Sequence, residues 1–148
     1  MSTLIGGIYV LLIELKSEIK VNVGSIGKTE FRKGLYAYVG SAQKNLEQRV
    51  KRHLRREKKK HWHIDYLLDN TGAHVIGVLY KPAKKEEECN TAKRLQNLAI
   101  EINGFGCSDC RCKSHLFQIA ETDIESKQKM MDYLPEFSTL NIKVLEED

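Results

Sequence analysis

The strongest constraint on the fold is an almost uninterrupted apolar stretch near the start of the chain, GGIYVLLIEL, from Gly6 to Leu15. Leucine and β-branched residues dominate it, which favours a buried strand. Its apolar centre, 8–13, is far shorter than the ~20 residues that span a bilayer, and no basic segment precedes it. We therefore expect a cytoplasmic protein without membrane contact, whose residues 1–148 form a single domain.

The rest of the chain alternates between strand and helix patterns. The polar turn 16–18 joins the first strand to a second, which predicts a β-hairpin. Strands are predicted at residues 7–15, 19–23, 35–40, 73–82, 114–122 and 140–145. Helices are predicted at 45–58, within HWHIDYLLDN, and at 86–102 and 123–134. This order predicts an α+β fold in which helices flank a mixed, mainly antiparallel β-sheet.

A basic segment from Lys44 to Lys60 has nine Lys or Arg residues and two glutamates, a local charge of +7 in a chain whose net charge is +4. Such concentrated positive charge is typical of surfaces that bind phosphate backbones, although a solvated helix face has a similar composition. Charge alone excludes neither interpretation. If the segment binds nucleic acid, we expect the contacts to include Arg52, Arg55, Arg56 and Lys59.

Two tyrosine-containing motifs lie in the first and third predicted strands, GIY at 7–9 and YVG at 38–40. A helix pattern with Arg49 and His53 four residues apart follows the second motif. This order resembles the GIY-YIG nuclease superfamily, and the segments HWHIDYLL and GFGCSDCRCKSHLF are similar to its branch of small Uri-type proteins. The resemblance covers most of the chain. One departure is that 28 residues separate the two tyrosines, several more than in compact members of the superfamily.

The resemblance implies metal-dependent hydrolysis of DNA phosphodiester bonds. Tyr9 would be the general base, with a pKa lowered from about 10 by cationic and metal surroundings. Tyr38 and His53 would orient the water or the scissile phosphate. Arg49 would offset the developing negative charge, and Glu88 would hold Mg²⁺ or Mn²⁺.

A second interpretation of each of these residues is purely structural. Tyr9 would then be a strand tyrosine packed in the core, and Arg49 and His53 would be a surface ion pair and a half-buried imidazole. Three consecutive glutamates open the predicted helix that contains Glu88, and acidic residues there complement the helix dipole. Helical periodicity alone does not separate Glu88 from Glu87 as a metal ligand.

A cysteine cluster lies in the segment CSDCRCKSH, with four soft metal ligands within nine residues: Cys107, Cys110, Cys112 and His115. In a cytosolic chain such clustering favours metal over disulfides, and structural Zn²⁺ is one interpretation. The spacing is unusual for a zinc finger, so free or redox-active thiols remain an alternative, as does a disulfide.

These features favour a metal-dependent DNA endonuclease with a role in DNA repair. The alternative from another class is a catalytically inactive nucleic-acid-binding module that keeps the basic helix and uses the cysteine cluster for structure. A third is a protein-interaction domain that presents the same helix to an acidic partner. Trp62 is expected to be a core anchor or a base-stacking platform. The sequence does not indicate the preferred DNA structure, the oligomeric state, or whether a protein partner supplies targeting.

Overall fold

The computed structural model describes residues 6–55, 58–60, 62–96, 100–101, 114–120 and 124–141. The strands are β1 (Gly7–Leu15), β2 (Ile19–Asn22), β3 (Lys28–Phe31), β4 (Gly34–Ala42), β5 (Ala73–Lys81), β6 (Ile100–Glu101), β7 (Leu116–Ala120) and β8 (Ser138–Leu140). The α-helices are α1 (Leu46–Leu54), α2 (His63–Leu68), α3 (Glu87–Gln96) and α4 (Ile124–Tyr133), and a 3-10 helix spans Gly24–Ile26. No helix in these ranges is long and apolar enough to cross a bilayer.

Six of the strands form one sheet in the order β6-β7-β4-β1-β5-β8, and β2 and β3 form a separate ribbon. Every strand pair within the described ranges is antiparallel. The predicted α+β class, with a mainly antiparallel sheet flanked by helices, is therefore confirmed.

The central strand β1 is buried on both faces, and each face has its own core. Alternate residues Tyr9, Leu11 and Ile13 pack with apolar residues of α1, α2 and the β2–β3 ribbon. Their neighbours Val10 and Leu12 pack with apolar residues of α3 and α4. The sheet is thus the middle of three layers, because successive strand side chains point to opposite faces.

The predicted hairpin between the first two strands is wrong. β1 pairs with β4 and β5, whereas β2 pairs with β3, with Ile19 opposite Phe31. A strand buried on both faces needs neighbours on both edges for its backbone groups. β2 alternates buried Ile19 with exposed Lys20, a pattern that is typical of a two-stranded ribbon with one solvent-exposed face.

Two helices are shorter than their patterns predicted. α1 ends at Leu54 rather than residue 58, because Arg55 has an extended conformation with φ −74° and ψ 133°. α3 ends at Gln96, and Ile100–Glu101 pairs as a strand with β7 instead of continuing the helix to residue 102. Residues 100–101, which the pattern assigned to the end of the α3 helix, therefore pair at the edge of the sheet.

Candidate active site

The register between β1 and β4 brings the two motif tyrosines to one face of the sheet. Tyr9 lies opposite Gly40, and Tyr38 lies opposite Leu11 two positions further along. The phenols are therefore diagonal neighbours rather than a directly opposed pair, a spacing within reach of aromatic side chains. Both tyrosines are buried, with 2% and 7% of their surface exposed, and both line the same cavity.

Gly40 leaves the space that the Tyr9 ring occupies. A Cβ atom at Gly40 would lie 2.5 Å from both Cζ and Oη of Tyr9, closer than non-bonded atoms can approach. The glycine of the YVG motif thus leaves room for the phenol of the GIY motif to cross the neighbouring strand. This explains why one motif ends in tyrosine and the other ends in glycine.

His53 is the hydrogen-bond partner of the Tyr9 hydroxyl. Tyr9 Oη lies 2.7 Å from His53 Nε2, and the imidazole is itself only 2% exposed. Burial lowers the pKa of His53 from 6.5 to about 3, so the imidazole is neutral at pH 7 and can accept the phenol proton through Nε2. Its Nδ1 is buried and has no hydrogen-bond partner within the described part of the chain.

The pKa of Tyr9 is shifted in the direction opposite to that predicted. Burial raises it above the usual value of 10.0, and the Arg49 guanidinium opposes that shift only in part. Burial likewise raises the pKa of Tyr38 well above its ordinary value. Desolvation of a buried phenolate outweighs one nearby cation, so both phenols are protonated at neutral pH.

Arg49 lies on the side of α1 that faces the cavity. Its Nη1 donates a hydrogen bond to the Ser41 carbonyl at 3.2 Å, and its guanidinium carbon lies 4.6 Å from the centre of the Trp62 ring. The buried stripe of Leu46 and Val50 anchors the helix against the sheet, so the first turns of α1 hold the guanidinium at the end of β4.

Glu88 reaches the cavity from the first turn of α3, on the opposite layer of the fold. Its Oε2 lies 3.0 Å from Nδ1 of His115, which is 2% exposed. Burial would raise the pKa of Glu88, but hydrogen bonds from His115 and Ser41 hold it below its usual range. Glu88 is therefore a carboxylate at neutral pH. It lines the cavity, whereas Glu87 does not, so the geometry favours Glu88 as the ligand of a metal ion.

His115 connects the Glu88 carboxylate to the YVG motif of β4. Its backbone carbonyl accepts a hydrogen bond from the Val39 amide at 2.9 Å, immediately before β7. The sequence grouped His115 with the three cysteines, but its Nδ1 contacts Glu88. Zinc binding by Cys107, Cys110 and Cys112 stays a prediction, because these cysteines lie outside the described residues.

The cavity has a volume of about 680 Å³ and is walled by strand ends, α1, α2, α3 and the turn of the β2–β3 ribbon. Lys44, the first cation of the basic segment, lines the cavity. Several other lining residues were missed by sequence reasoning: Gly24, Ser25, Ser41, Gln43, Tyr66 and Lys85. Two signals were available, since Ser41 directly follows the YVG motif and Lys85 lies three residues before Glu88. Nothing local in the sequence indicated the residues from the ribbon turn.

The cations of the basic segment lie in different environments: one is ion-paired inside the fold, and others are exposed to solvent. Arg52 forms two 2.9 Å hydrogen bonds with the buried carboxylate of Asp65, which also accepts from the Trp62 amide at 2.9 Å. Arg52 therefore ties α1 to α2. Arg55 and Lys59 are exposed and available to a phosphate backbone. Arg56 lies outside the described residues.

Glu88 is the carboxylate that could hold a metal ion in this cavity. Among the described residues, no three His, Cys, Asp or Glu side chains are close enough to hold a metal together. Glu88 supplies one ionised carboxylate to the cavity. Mg²⁺ keeps several water ligands and is commonly bound through one or two carboxylates, whereas Zn²⁺ usually takes three or four protein ligands.

The fold and site define an α+β protein with a buried phenol–imidazole pair, an arginine and a carboxylate around one cavity. A protein-family model described as "Domain of unknown function DUF123" matches residues 8–136, and the chain belongs to this family. Comparisons with curated proteins and with solved structures gave no significant match. The family description states no activity, so the function must be argued from the site.

Proposed function

We propose that the protein is a metal-dependent DNA endonuclease of the GIY-YIG type, which hydrolyses phosphodiester bonds. The observation that supports this proposal is that four residues line one cavity, Tyr9, Tyr38, Arg49 and Glu88. The Tyr9 hydroxyl is in turn hydrogen-bonded to His53. The residues come from two strands of the sheet and from two helices that pack on its opposite faces. Core packing alone gives no reason for an arginine and a carboxylate to lie beside two phenols.

The hydrogen bond between Tyr9 and His53 provides a route for the proton of the attacking water. A protonated phenol cannot act as a base by itself. It can accept a proton from water at Oη while it passes its own proton to Nε2 of the neutral His53. The water oxygen bonds to phosphorus as its O–H bond breaks, the P–O bond to the leaving oxygen breaks, and His53 becomes imidazolium. The leaving oxygen takes up a proton from solvent, and the imidazolium, which burial disfavours, then releases its proton. Arg49 stabilises the negative charge that develops during this transfer.

Glu88 would hold Mg²⁺ or Mn²⁺ in the cavity, with His115 and Ser41 fixing its carboxylate. Such an ion supplies positive charge to stabilise the phosphate and its leaving oxygen. The chain's own contribution is to keep Glu88 ionised and oriented. Lys85, three residues before it, adds positive charge to the same wall and favours an anionic substrate.

DNA is the substrate that agrees with the charge of the surrounding surface. Lys44 and Lys85 line the cavity, and Arg55 and Lys59 are exposed beyond α1. These cations would neutralise backbone phosphates on either side of the cut. We further propose a cytoplasmic location, action in DNA repair and targeting through a protein partner.

The test is cleavage by Tyr9→Phe, which removes the hydroxyl and keeps the ring. Tyr80→Phe is a matched control, because Tyr80 lies opposite Tyr9 on β5 and does not line the cavity. We expect Tyr9→Phe to lower the rate at least about 100-fold, with a stability cost of about 1 kcal/mol from one lost hydrogen bond. Rates are measured on a panel of DNA substrates with Mg²⁺ or Mn²⁺.

Arg49→Ala and Glu88→Gln should lose cleavage in the same assay, and Tyr80→Phe should keep it. Cleavage by Tyr9→Phe at the wild-type rate would show that the phenol only fills the core. DNA binding without cleavage by the wild-type protein would favour the inactive binding module instead.

A further inference from the structure

The part of the cavity lining that comes from α2 is aromatic. It consists of Trp62, His63 and Tyr66, and we call these three residues the aromatic wall. All three belong to α2 or its N-terminal boundary and are partly exposed. The aromatic wall and the phenols of Tyr9 and Tyr38 thus border the same space from different elements.

The turn of the β2–β3 ribbon holds this wall in place. Ser25 Oγ lies 3.2 Å from Nε2 of His63. The Tyr66 ring packs on Gly24, where an added Cβ would lie 3.1 Å from the ring and where φ is +49°. The ribbon occupies much of the extra length between the two tyrosine motifs, so that extra length builds part of the cavity.

The depth of Tyr9 limits which DNA can react. A scissile phosphate must approach the Tyr9 hydroxyl, and Tyr9 lines the cavity with only 2% of its surface exposed. The phosphate brings its own sugar and base into the space beside the aromatic wall. A base in a duplex is held by stacking and pairing, and releasing it costs a few kcal/mol, whereas an unpaired base turns freely.

The guanidinium groups of Arg49 and Arg52 lie over the Trp62 ring, 4.6 and 4.3 Å from its centre, so Tyr66 is the stacking surface of the aromatic wall. We propose that the cavity selects unpaired DNA: a base next to the scissile phosphate stacks on Tyr66, while Lys44 and Lys85 contact the neighbouring phosphates. This inference rests on the proposed nuclease function and specifies its substrate class. Aromatic side chains bind single strands with little sequence preference, since every base has a stacking face. Both lysines are exposed at the cavity, where they can follow a flexible backbone.

Binding can be measured independently of cleavage, in EDTA. Trp62 is the only tryptophan in the chain, so intrinsic tryptophan fluorescence reports on the aromatic wall alone. We expect an unpaired oligonucleotide to quench this fluorescence and to bind at least about 10-fold more tightly than a duplex of the same sequence. A duplex that binds as tightly as the single strand contradicts the inference.

Tyr66 provides the matched variants. Tyr66→Leu should weaken single-strand binding about 10-fold and leave duplex binding unchanged, whereas Tyr66→Phe keeps a stacking ring and should retain the wild-type affinity. Tyr80→Leu removes a partly buried tyrosine outside the cavity and should have no effect on either affinity. Melting temperatures confirm that each variant is folded. Unchanged single-strand affinity in folded Tyr66→Leu overturns the stacking role.

Cleavage with Mg²⁺ or Mn²⁺ separates this inference from the function on which it rests. We expect the wild-type protein to cut single strands and the unpaired arms of forked DNA, and to leave matched duplexes intact. Equal cutting of duplex and single strand refutes the substrate class while the nuclease function stands. Selective single-strand binding without any cleavage refutes the nuclease function while the binding preference stands.

Discussion

The strand side and the helix side of the cavity are assembled in different ways. On the strand side, Tyr9, Tyr38 and Gly40 are positioned by the register of two long antiparallel strands. On the helix side, the segment from α1 to α2 is rich in cations, and two of its arginines are positioned by individual partners. Arg49 is bonded to Ser41, and Arg52 is bonded to Asp65.

This difference matters for substitutions. A change on the strand side acts through backbone register and close packing, so its effects spread to every residue of the site. A change on the helix side acts through one side-chain pair. Cations that look equivalent in the sequence therefore have separable roles, and the predictions below test that separation.

The largest expected effect comes from Gly40→Ala on the strand side. The new methyl group would lie 2.5 Å from Cζ and Oη of Tyr9, so the phenol must move. A displacement of about 1 Å at a reacting group can reduce a rate about 100-fold. We therefore expect a loss of cleavage at least equal to that of Tyr9→Phe, measured as single-turnover rates on the same substrate.

Gly27→Ala is the control for Gly40→Ala, because Gly27 lies outside the cavity and an added Cβ would meet no atom within 4 Å. Its φ of +87° makes the substitution strained, so we expect some loss of stability with an unchanged cleavage rate. Wild-type activity in Gly40→Ala would mean that the position of the Tyr9 ring does not limit the reaction.

Substitutions of Arg52 and Arg55 test whether the cations on the helix side have separate roles. Arg52→Ala leaves the fully buried Asp65 carboxylate without its guanidinium partner, and we expect the free energy of unfolding to fall by about 3 kcal/mol. Arg55→Ala removes an exposed cation. We expect its stability to be unchanged, with a shallower dependence of DNA affinity on salt, by about one unit of slope.

Urea unfolding and DNA titrations at several salt concentrations measure the two quantities. If Arg52→Ala is as stable as the wild-type protein, the ion pair between α1 and α2 is not structural. If Arg55→Ala keeps the wild-type salt slope, the DNA path avoids the end of α1.

The sequence predicted the parts of the site that depend on local pattern. Strand periodicity and the two tripeptides were enough to put Tyr9 and Tyr38 in strands, and four-residue spacing put Arg49 and His53 on one helix. The contact of Glu88 with His115 was not predictable, because it depends on β7 pairing with β4 across a long separation in sequence. The hairpin was predicted wrongly because turn signals between β1 and β2 indicate a reversal but not which strands then pair.

The roles and pKa values of individual charged and titratable side chains were the least predictable properties of the site. The basic segment indicated a set of similar cations, and only the position of Asp65 distinguishes Arg52 from Arg55. The pKa of Tyr9 depends on burial between α1 and the sheet, which no residue spacing reports, so its direction was predicted wrongly.

The last of these effects is a pH dependence at His53, which joins α1 to the strand side through its hydrogen bond to Tyr9. Its folded-state pKa of about 3 lies below its unfolded value of 6.5, mainly through burial, with Asp65 opposing and Lys58, Arg52 and Arg49 adding to the shift. Between these values the unfolded chain binds more protons than the folded chain. The contribution of His53 to stability is therefore complete above pH 6.5 and is lost as the pH falls toward 3.

His53→Gln removes this titration while its amide can still bond to Tyr9. On lowering the pH from 7 to 5, the wild-type protein should lose about 2 kcal/mol more free energy of unfolding than His53→Gln, because each pH unit below 6.5 costs about 1.4 kcal/mol. Urea midpoints of both proteins at both pH values measure the difference, and all other titrating groups cancel. Equal losses would mean that the imidazole is protonated in the folded state at pH 5, and a cationic His53 could not accept the Tyr9 proton.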